Sequence, residues 1–122
     1  MQDFHQLNVW QKAHSLVLQV YKVSNDLPPS ENFGLILNLR RSSAMIARSI
    51  AEGAGRDSDV EFAVDLKKAR AAGHDLDSLL LSRDLGFLSE PLYDKLLGDL
   101  LEVRKMISGL VRRLSGTAET LG

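Results

Sequence analysis

Two stretches of the chain repeat apolar or small residues at alternating spacings of four and three, and this pattern constrains the fold most. One stretch comprises Val9, Ala13, Leu16, Val20, Val23 and Leu27, and the other comprises Phe62, Leu66, Ala69, Gly73, Leu76 and Leu80. Such spacing places each set on one side of an α-helix, as a heptad seam along which another helix packs nearly parallel or antiparallel. The pattern therefore predicts long helices packed side by side.

Two further stretches carry a helical apolar face. The first contains Leu35, Leu39, Ile46 and Ile50, with Ser42 or Ser43 completing the spacing. The second contains Leu92, Leu96, Leu100, Val103, Ile107, Leu110 and Leu114. We expect Ile46 and Leu66 to be core positions, because each lies at the centre of its apolar face.

Residues that begin or end helices separate these segments. Pro28 and Pro29 stop the first helix, since proline lacks the amide hydrogen and clashes with the preceding turn. Ser58 and Glu61 have the spacing of a capping box. Glycines predict the helix ends at Gly53, Gly55 and Gly86, because glycine reaches the left-handed conformation without steric cost. Gly73 lies in mid-helix and predicts the close approach of another helix or of a ring such as Trp10.

These signals predict one domain, residues 1–122, with helices at 8–27, 31–53, 58–86 and 89–114 and a flexible tail at 115–122. Four amphipathic helices joined by short connections form an all-α, antiparallel up-down-up-down four-helix bundle.

Composition limits the classes of function. The net charge is −1, whereas proteins that bind nucleic acids through phosphate contacts usually have an excess of basic residues. The chain has no cysteine, which excludes disulfides and thiolate metal sites and is compatible with a reducing cytoplasm. No apolar run is long enough for a membrane helix, and we expect no secretory signal. The sequence predicts a cytoplasmic protein.

Metal and cofactor sites are not expected. Di-iron bundles use Glu-x-x-His pairs, and the residues three positions before His5, His14 and His74 are Gln2, Gln11 and Ala71.

Arg70 and His74 provide an enzymatic alternative. One class of small α-helical ribonucleases carries an arginine a few residues before a histidine, and these two residues share a helix face. Asp75 and Asp77 follow and could orient His74 as a general base.

Four arginines are candidates for binding an anion or nucleic acid: Arg40, Arg41, Arg48 and Arg56. The structural alternative is that they pair with acids such as Glu52 and Asp57, and it is favoured for Arg48 and Arg56.

Some apolar residues lie outside the seams and widen the apolar surface: Trp10, Val17, Tyr21, Leu97, Leu101 and Val111. A monomer rarely exposes contiguous apolar patches above a few hundred Å², so we interpret them as a candidate surface for self-association.

The chain resembles a known family over residues 4–114. The matching residues are Phe4, Leu7, Val9-Trp10-Gln11-Lys12-Ala13, Tyr21, Leu27-Pro28, Glu31, Arg40-Arg41, Ile46, Ile50-Ala51-Glu52-Gly53, Gly55-Arg56, Glu61-Phe62, Leu66, Ala69 and Gly73. They are similar to four-helix-bundle proteins encoded in intervening sequences of bacterial large-subunit ribosomal RNA genes. Ser49, Ala47 and His74 depart from the asparagine, proline and serine common in that family.

This resemblance implies a homopentamer and kinship with the accessory variability proteins of diversity-generating retroelements. Those relatives are basic pentamers that contact nucleic acid and a reverse transcriptase, whereas this chain is near neutral. The function hypothesis is a non-enzymatic oligomeric scaffold that binds RNA or a ribonucleoprotein partner. Its alternatives are a small ribonuclease using Arg70 and His74, and a homo-oligomer with no nucleic-acid role.

Overall fold

The computed structural model describes residues 3–74 and 78–121, with side chains of the last helix described up to Ser115. Within these ranges the chain forms α-helices and no strand. The helices are α1 (Asn8–Ser24), α2 (Leu35–Ala54), α3 (Asp59–His74), α4 (Ser78–Asp84) and α5 (Glu90–Leu121). Short 3₁₀-helices precede α1 at Phe4–Gln6 and α2 at Pro29–Glu31.

The helices α1, α2, α3 and α5 form a four-helix bundle in which chain neighbours pack together and α5 returns to α1. The short helix α4 packs on α2 and α5. The register of α3 against α5 is antiparallel, because Arg70 contacts Ser108 whereas His74, one turn later, contacts Arg104. The predicted all-α, up-down-up-down bundle is confirmed.

Most residues of the predicted apolar faces meet in one core. Leu66 is 0% exposed and Ile46 is 1% exposed, as expected from their central positions. Ser43, and not Ser42, completes the inner face of α2, since its side chain is fully buried. The heptad spacing fails at α4, where Leu79 is buried and Leu80 is exposed. The two leucines are equally apolar, so only the packing of α4 on its neighbours selects between them. The predicted seam residue Leu76 lies outside the described residues.

The helix bounds differ from the predicted ones at several ends. Helix α1 ends at Ser24, before the predicted end at Leu27. The Asp26 and Leu27 amides donate to the Val23 and Ser24 carbonyls in tighter i→i−3 bonds, and Pro28 then disfavours helical geometry at Leu27. Helix α2 begins at Leu35, after the 3₁₀ turn at Pro29–Glu31. Helix α5 continues to Leu121 rather than ending at residue 114. No proline follows Leu114 in the sequence, and a single glycine costs only about 1 kcal/mol in a helix.

Two of the predicted helix ends are found in the structure, the capping box at the start of α3 and the glycine at the end of α4. The Ser58 hydroxyl oxygen accepts from the Glu61 amide at 3.2 Å, which is the serine half of a capping box. The Glu61 carboxylate accepts from that same hydroxyl rather than from the Ser58 amide. Gly86 has φ +80° and ends α4, with the Phe87 amide donating to the Ser82 carbonyl at 2.9 Å. This pattern is a Schellman motif.

The left-handed end predicted at Gly53 and Gly55 is wrong. Gly53 lies inside α2, and Gly55 has φ −87° and ψ −2°, which any residue adopts. Gly53 is required for a different reason, because a Cβ there would lie 2.8 Å from Cδ1 of Phe62 and 3.0 Å from Cβ of Asp65. The absent side chain lets α3 pack directly on the backbone of α2.

Candidate interaction surfaces

Arg40, a predicted anion-binding residue, ties the start of α2 to the end of α1. Its Nε donates to the Ser24 hydroxyl at 2.8 Å, and its Nη2 donates to the side-chain oxygen of Asn25 at 2.7 Å. Its guanidinium also lies over the Tyr21 ring, 4.9 Å from the centroid. These contacts make Arg40 a packing element of the α1–α2 pair.

Arg41 and Arg48 project from the outer surface of α2. They lie seven residues, or about two helical turns, apart on one side of the helix. Arg41 is exposed. Arg48 Nε lies 3.7 Å from Glu52 Oε1, as the structural alternative predicted, but both side chains are more than half exposed. Exposed pairs of this kind contribute little to stability, so both arginines can contact a ligand without disturbing the core.

Arg56 is held by a buried carboxylate. Its Nε donates to Oδ2 of Asp65 at 2.7 Å, and Asp65 is only 1% exposed. Lys68 Nζ lies 3.5 Å from the other carboxylate oxygen. The predicted pairing of Arg56 with an acid is therefore correct, but the partner is Asp65 rather than Asp57. The contact fastens the connection between α2 and α3 onto α3.

The Arg56–Asp65 contact should make stability depend on pH. The hydrogen bond from Arg56 is the largest cause that lowers the pKa of Asp65, and Lys68 adds to it, whereas burial opposes it. Because the folded-state pKa is depressed, the stabilisation is complete above the unfolded value of about 4 and is lost as pH falls through the folded value. The urea midpoint should therefore fall in acid, and Asp65→Asn should flatten that dependence.

The matched control for this pH dependence is Asp99→Asn, which alters a surface pair with Lys95 at 3.3 Å. It should leave the acid profile close to that of the wild type. An unchanged acid profile in Asp65→Asn would contradict the assigned role of the Arg56–Asp65 contact.

One apolar face lies along the outer side of the α1–α2 pair. Tyr21 is on this side because it contacts Arg40, and helical spacing brings Val17 and Leu18 to the same side. Trp10 is half-buried, its ring stacked on His14 with centroids 4.7 Å apart. We call this surface the α1–α2 face and define it by Trp10, Val17, Leu18 and Tyr21.

A second apolar face lies between α4 and α5. Leu97 and Leu101 share a side of α5 with Arg104, which contacts α3, and Leu101 is 49% exposed. Leu80 lies one turn before Arg83, whose guanidinium covers the Tyr93 ring of α5 at 4.5 Å. We call this surface the α4–α5 face and define it by Leu80, Leu97 and Leu101.

The two faces are on different sides of the bundle, since one belongs to the α1–α2 pair and the other to the side that α5 shares with α3 and α4. Val111 does not extend either of them. It is 7% exposed and lies one turn after Ile107 on the inner side of α5, so the prediction that it widens the exposed apolar surface is wrong. Its position in the sequence fits both the inner face and the flank of α5, and the packing selects the inner one.

Arg70 and His74, the residues of the ribonuclease alternative, both meet α5. Arg70 Nη1 donates to the Ser108 hydroxyl at 3.2 Å, and Arg104 Nη2 lies 2.9 Å from His74 Nε2. A guanidinium has only donors, so the imidazole nitrogen accepts this bond. A general base needs that same lone pair for the proton of its substrate. The observed geometry therefore does not favour His74 as a base.

Sequence reasoning missed Arg104 as a member of this cluster. The contact joins residues 30 positions apart, so no local pattern signals it.

Among the described side chains, those of residues 3–74 and 78–115, no cluster of three or more potential metal ligands gathers. None of the helices in these ranges combines the length and apolar character needed to cross a membrane.

Comparison with known proteins agrees with the resemblance seen in the sequence. No curated protein matches the chain. The family model of the 23S rRNA-intervening sequence protein matches residues 5–109, which include α1 to α4 and most of α5. The matched range also contains all residues of the two apolar faces and the four arginines. The chain belongs to the family of 23S rRNA-intervening sequence proteins.

Proposed function

We propose that this protein is a non-catalytic scaffold that assembles with itself into a closed ring and presents arginines of α2 to RNA or a ribonucleoprotein. The observation that carries the proposal is the presence of two unlike apolar faces on different sides of one bundle. Leu18 and Tyr21 remain exposed on one face, and Leu80 and Leu101 on the other.

Two unlike faces favour a head-to-tail contact, in which the α1–α2 face of one copy packs on the α4–α5 face of the next. Such a contact closes into a ring when its rotation allows, and every copy then buries both faces. A two-fold dimer would bury one face against itself and leave the other in water. The number five comes from the family resemblance.

Charged substitution on one face tests the ring. In Leu101→Lys, each contact of the ring would bury an unpaired ammonium, so we expect a monomer at micromolar concentration. The matched control is Val64→Lys in α3, because Val64 is 48% exposed and belongs to neither face. Sedimentation velocity measures both variants. A Leu101→Lys protein with the wild-type sedimentation coefficient would exclude the α4–α5 face from the interface.

A ring would also explain how a chain of net charge −1 binds RNA. A closed ring places one copy of Arg41 and Arg48 per subunit around its axis. Several weak arginine–phosphate contacts can then form to the same RNA, which raises the overall affinity. Arg40 and Arg56 contribute less to this surface, because Ser24, Asn25 and Asp65 already hold them.

Replacing both exposed arginines, Arg41 and Arg48, should weaken binding to RNA whatever the RNA sequence. In the Arg41→Gln/Arg48→Gln double variant, the plot of log affinity against log salt should lose about 0.7 units of slope per phosphate contact removed. Lys95→Gln is the control, because Lys95 lies on α5, diagonally across the bundle from α2. Filter binding of a short single-stranded RNA over a salt series measures both. If the wild type does not bind at low salt, the scaffold has no nucleic-acid role.

The non-catalytic part of the proposal has its own test. The bond from Arg104 to His74 supports it, since it occupies the nitrogen that a base would use. We expect no RNA cleavage above background, and none that His74→Ala abolishes. Cleavage that disappears in His74→Ala would establish the ribonuclease alternative instead.

A further inference from the structure

On one flank of the bundle, four polar side chains form two hydrogen-bonded pairs, and each pair joins α3 to α5. Arg70 donates to Ser108 at 3.2 Å, and Arg104 donates to His74 at 2.9 Å. The members of each helix are four residues apart, so the two pairs lie about one helical turn, or roughly 5.4 Å, apart. We call these residues the α3–α5 cluster: Arg70, His74, Arg104 and Ser108.

The α3–α5 cluster carries positive charge without a counter-ion in the described part of the chain. The ion pairs there include neither Arg70 nor Arg104. Their hydrogen-bond partners, Ser108 and His74, carry no negative charge. Arg104 Nε is buried and has no hydrogen-bond partner. An unmet donor on a partly desolvated cation is costly, and an anion held against the outer nitrogens of that guanidinium would offset part of the cost through its charge.

Gly73 sets the depth at which Arg104 lies. A Cβ on Gly73 would be 3.2 Å from both Cγ and Cδ of Arg104. The bare backbone of α3 therefore lets the aliphatic part of Arg104 lie directly on the helix. Its guanidinium is fixed at the end of this groove by His74 rather than extending freely into water.

We propose that the α3–α5 cluster binds a phosphate group between Arg70 and Arg104. In this proposal the anion accepts from one planar guanidinium group on each helix, and the Ser108 hydroxyl, which accepts from Arg70, is left with its own proton to donate. A tetrahedral phosphate presents oxygens in three directions, whereas a carboxylate presents two in one plane. One chain supplies every member of the site, so it needs neither a second copy nor Arg41 and Arg48. It borders the α4–α5 face, because Arg104 shares a side of α5 with Leu97 and Leu101.

The test observes the Nε–Hε signal of Arg104 directly. Burial slows the exchange of this proton with water, so a ¹⁵N-correlated spectrum of the full chain can detect it, and Arg104→Lys assigns it. Inorganic phosphate is titrated against sodium chloride at constant ionic strength. We expect a saturable shift of the Arg104 signal with phosphate, and an affinity roughly tenfold lower in Arg70→Gln. Arg113→Gln, an exposed charge later on α5, is the control and should bind as the wild type does.

The backbone amide signals show whether Arg70→Gln keeps the fold. If it does not, Arg70→Lys replaces it, with reduced affinity expected because lysine lacks the planar fork. A second titration with dimethyl phosphate distinguishes the source of the ligand. Its binding indicates a nucleic-acid diester, and binding of inorganic phosphate alone indicates a free phosphate or a monoester. The proposal is wrong if neither phosphate gives a saturable shift, or if removing the Arg70 fork leaves the affinity unchanged.

Discussion

Truncation of Leu66 or Ile46 to alanine should lower the free energy of unfolding by about 2–5 kcal/mol each. Both side chains are at the centre of the bundle, with 0% and 1% exposure. Their removal loses the transfer free energy of the deleted groups and leaves a cavity that packed helices fill only partly. Urea unfolding followed by circular dichroism, at one fixed protein concentration, measures the change.

Leu81→Ala is the matched control for these truncations, because Leu81 is 49% exposed on α4. Its loss should be below about 1 kcal/mol, since little apolar surface returns to water. A loss below about 0.5 kcal/mol for both Leu66→Ala and Ile46→Ala would show that the inner faces of α2 and α3 are wrongly assigned.

Alanine should have opposite effects at two glycines of the bundle. At Gly53 the new Cβ would meet Phe62 at 2.8 Å and Asp65 at 3.0 Å, so α2 and α3 must move apart. Overpacking of this kind costs about 1–3 kcal/mol. At Gly98 no atom lies within 4 Å of the added Cβ. Gly98→Ala should therefore raise stability by about 0.5–1 kcal/mol, the cost of glycine in a helix.

The comparison of Gly53→Ala with Gly98→Ala isolates packing from helix propensity, because both replace a helical glycine with the same residue. Thermal or urea unfolding of both variants is sufficient. Equal stabilisation by the two substitutions would mean that α3 does not pack directly on Gly53.

The four-helix bundle could be predicted from the sequence because the patterns that indicate a helix involve residues close together in the chain. Heptad spacing identified Leu16 and Leu66 as inner residues, and both are buried. Which of two neighbouring apolar residues is buried could not be predicted from the local sequence. Leu79 rather than Leu80 faces the core, and Val111 is buried rather than surface-exposed, because packing between helices selects the rotation of each one.

The polar contacts were harder to predict, since they join residues far apart in the chain. Arg40 reaches Asn25 from 15 positions away, and Arg104 reaches His74 from 30. Asp65 did carry a signal, because its carboxylate occupies an inner position beside Phe62 and Leu66. An acid in an apolar seam requires a cationic partner, and Arg56 provides it.

The most direct test of the scaffold account is the mass of the wild-type particle in solution. Sedimentation equilibrium at micromolar concentrations should give a multiple of the chain mass of 13.5 kDa, and five copies if the family resemblance extends to assembly. That result would mean that the α1–α2 and α4–α5 faces are covered in the functional particle. A particle of 13.5 kDa that persists as concentration rises would contradict the ring and the multivalent binding of RNA that depends on it.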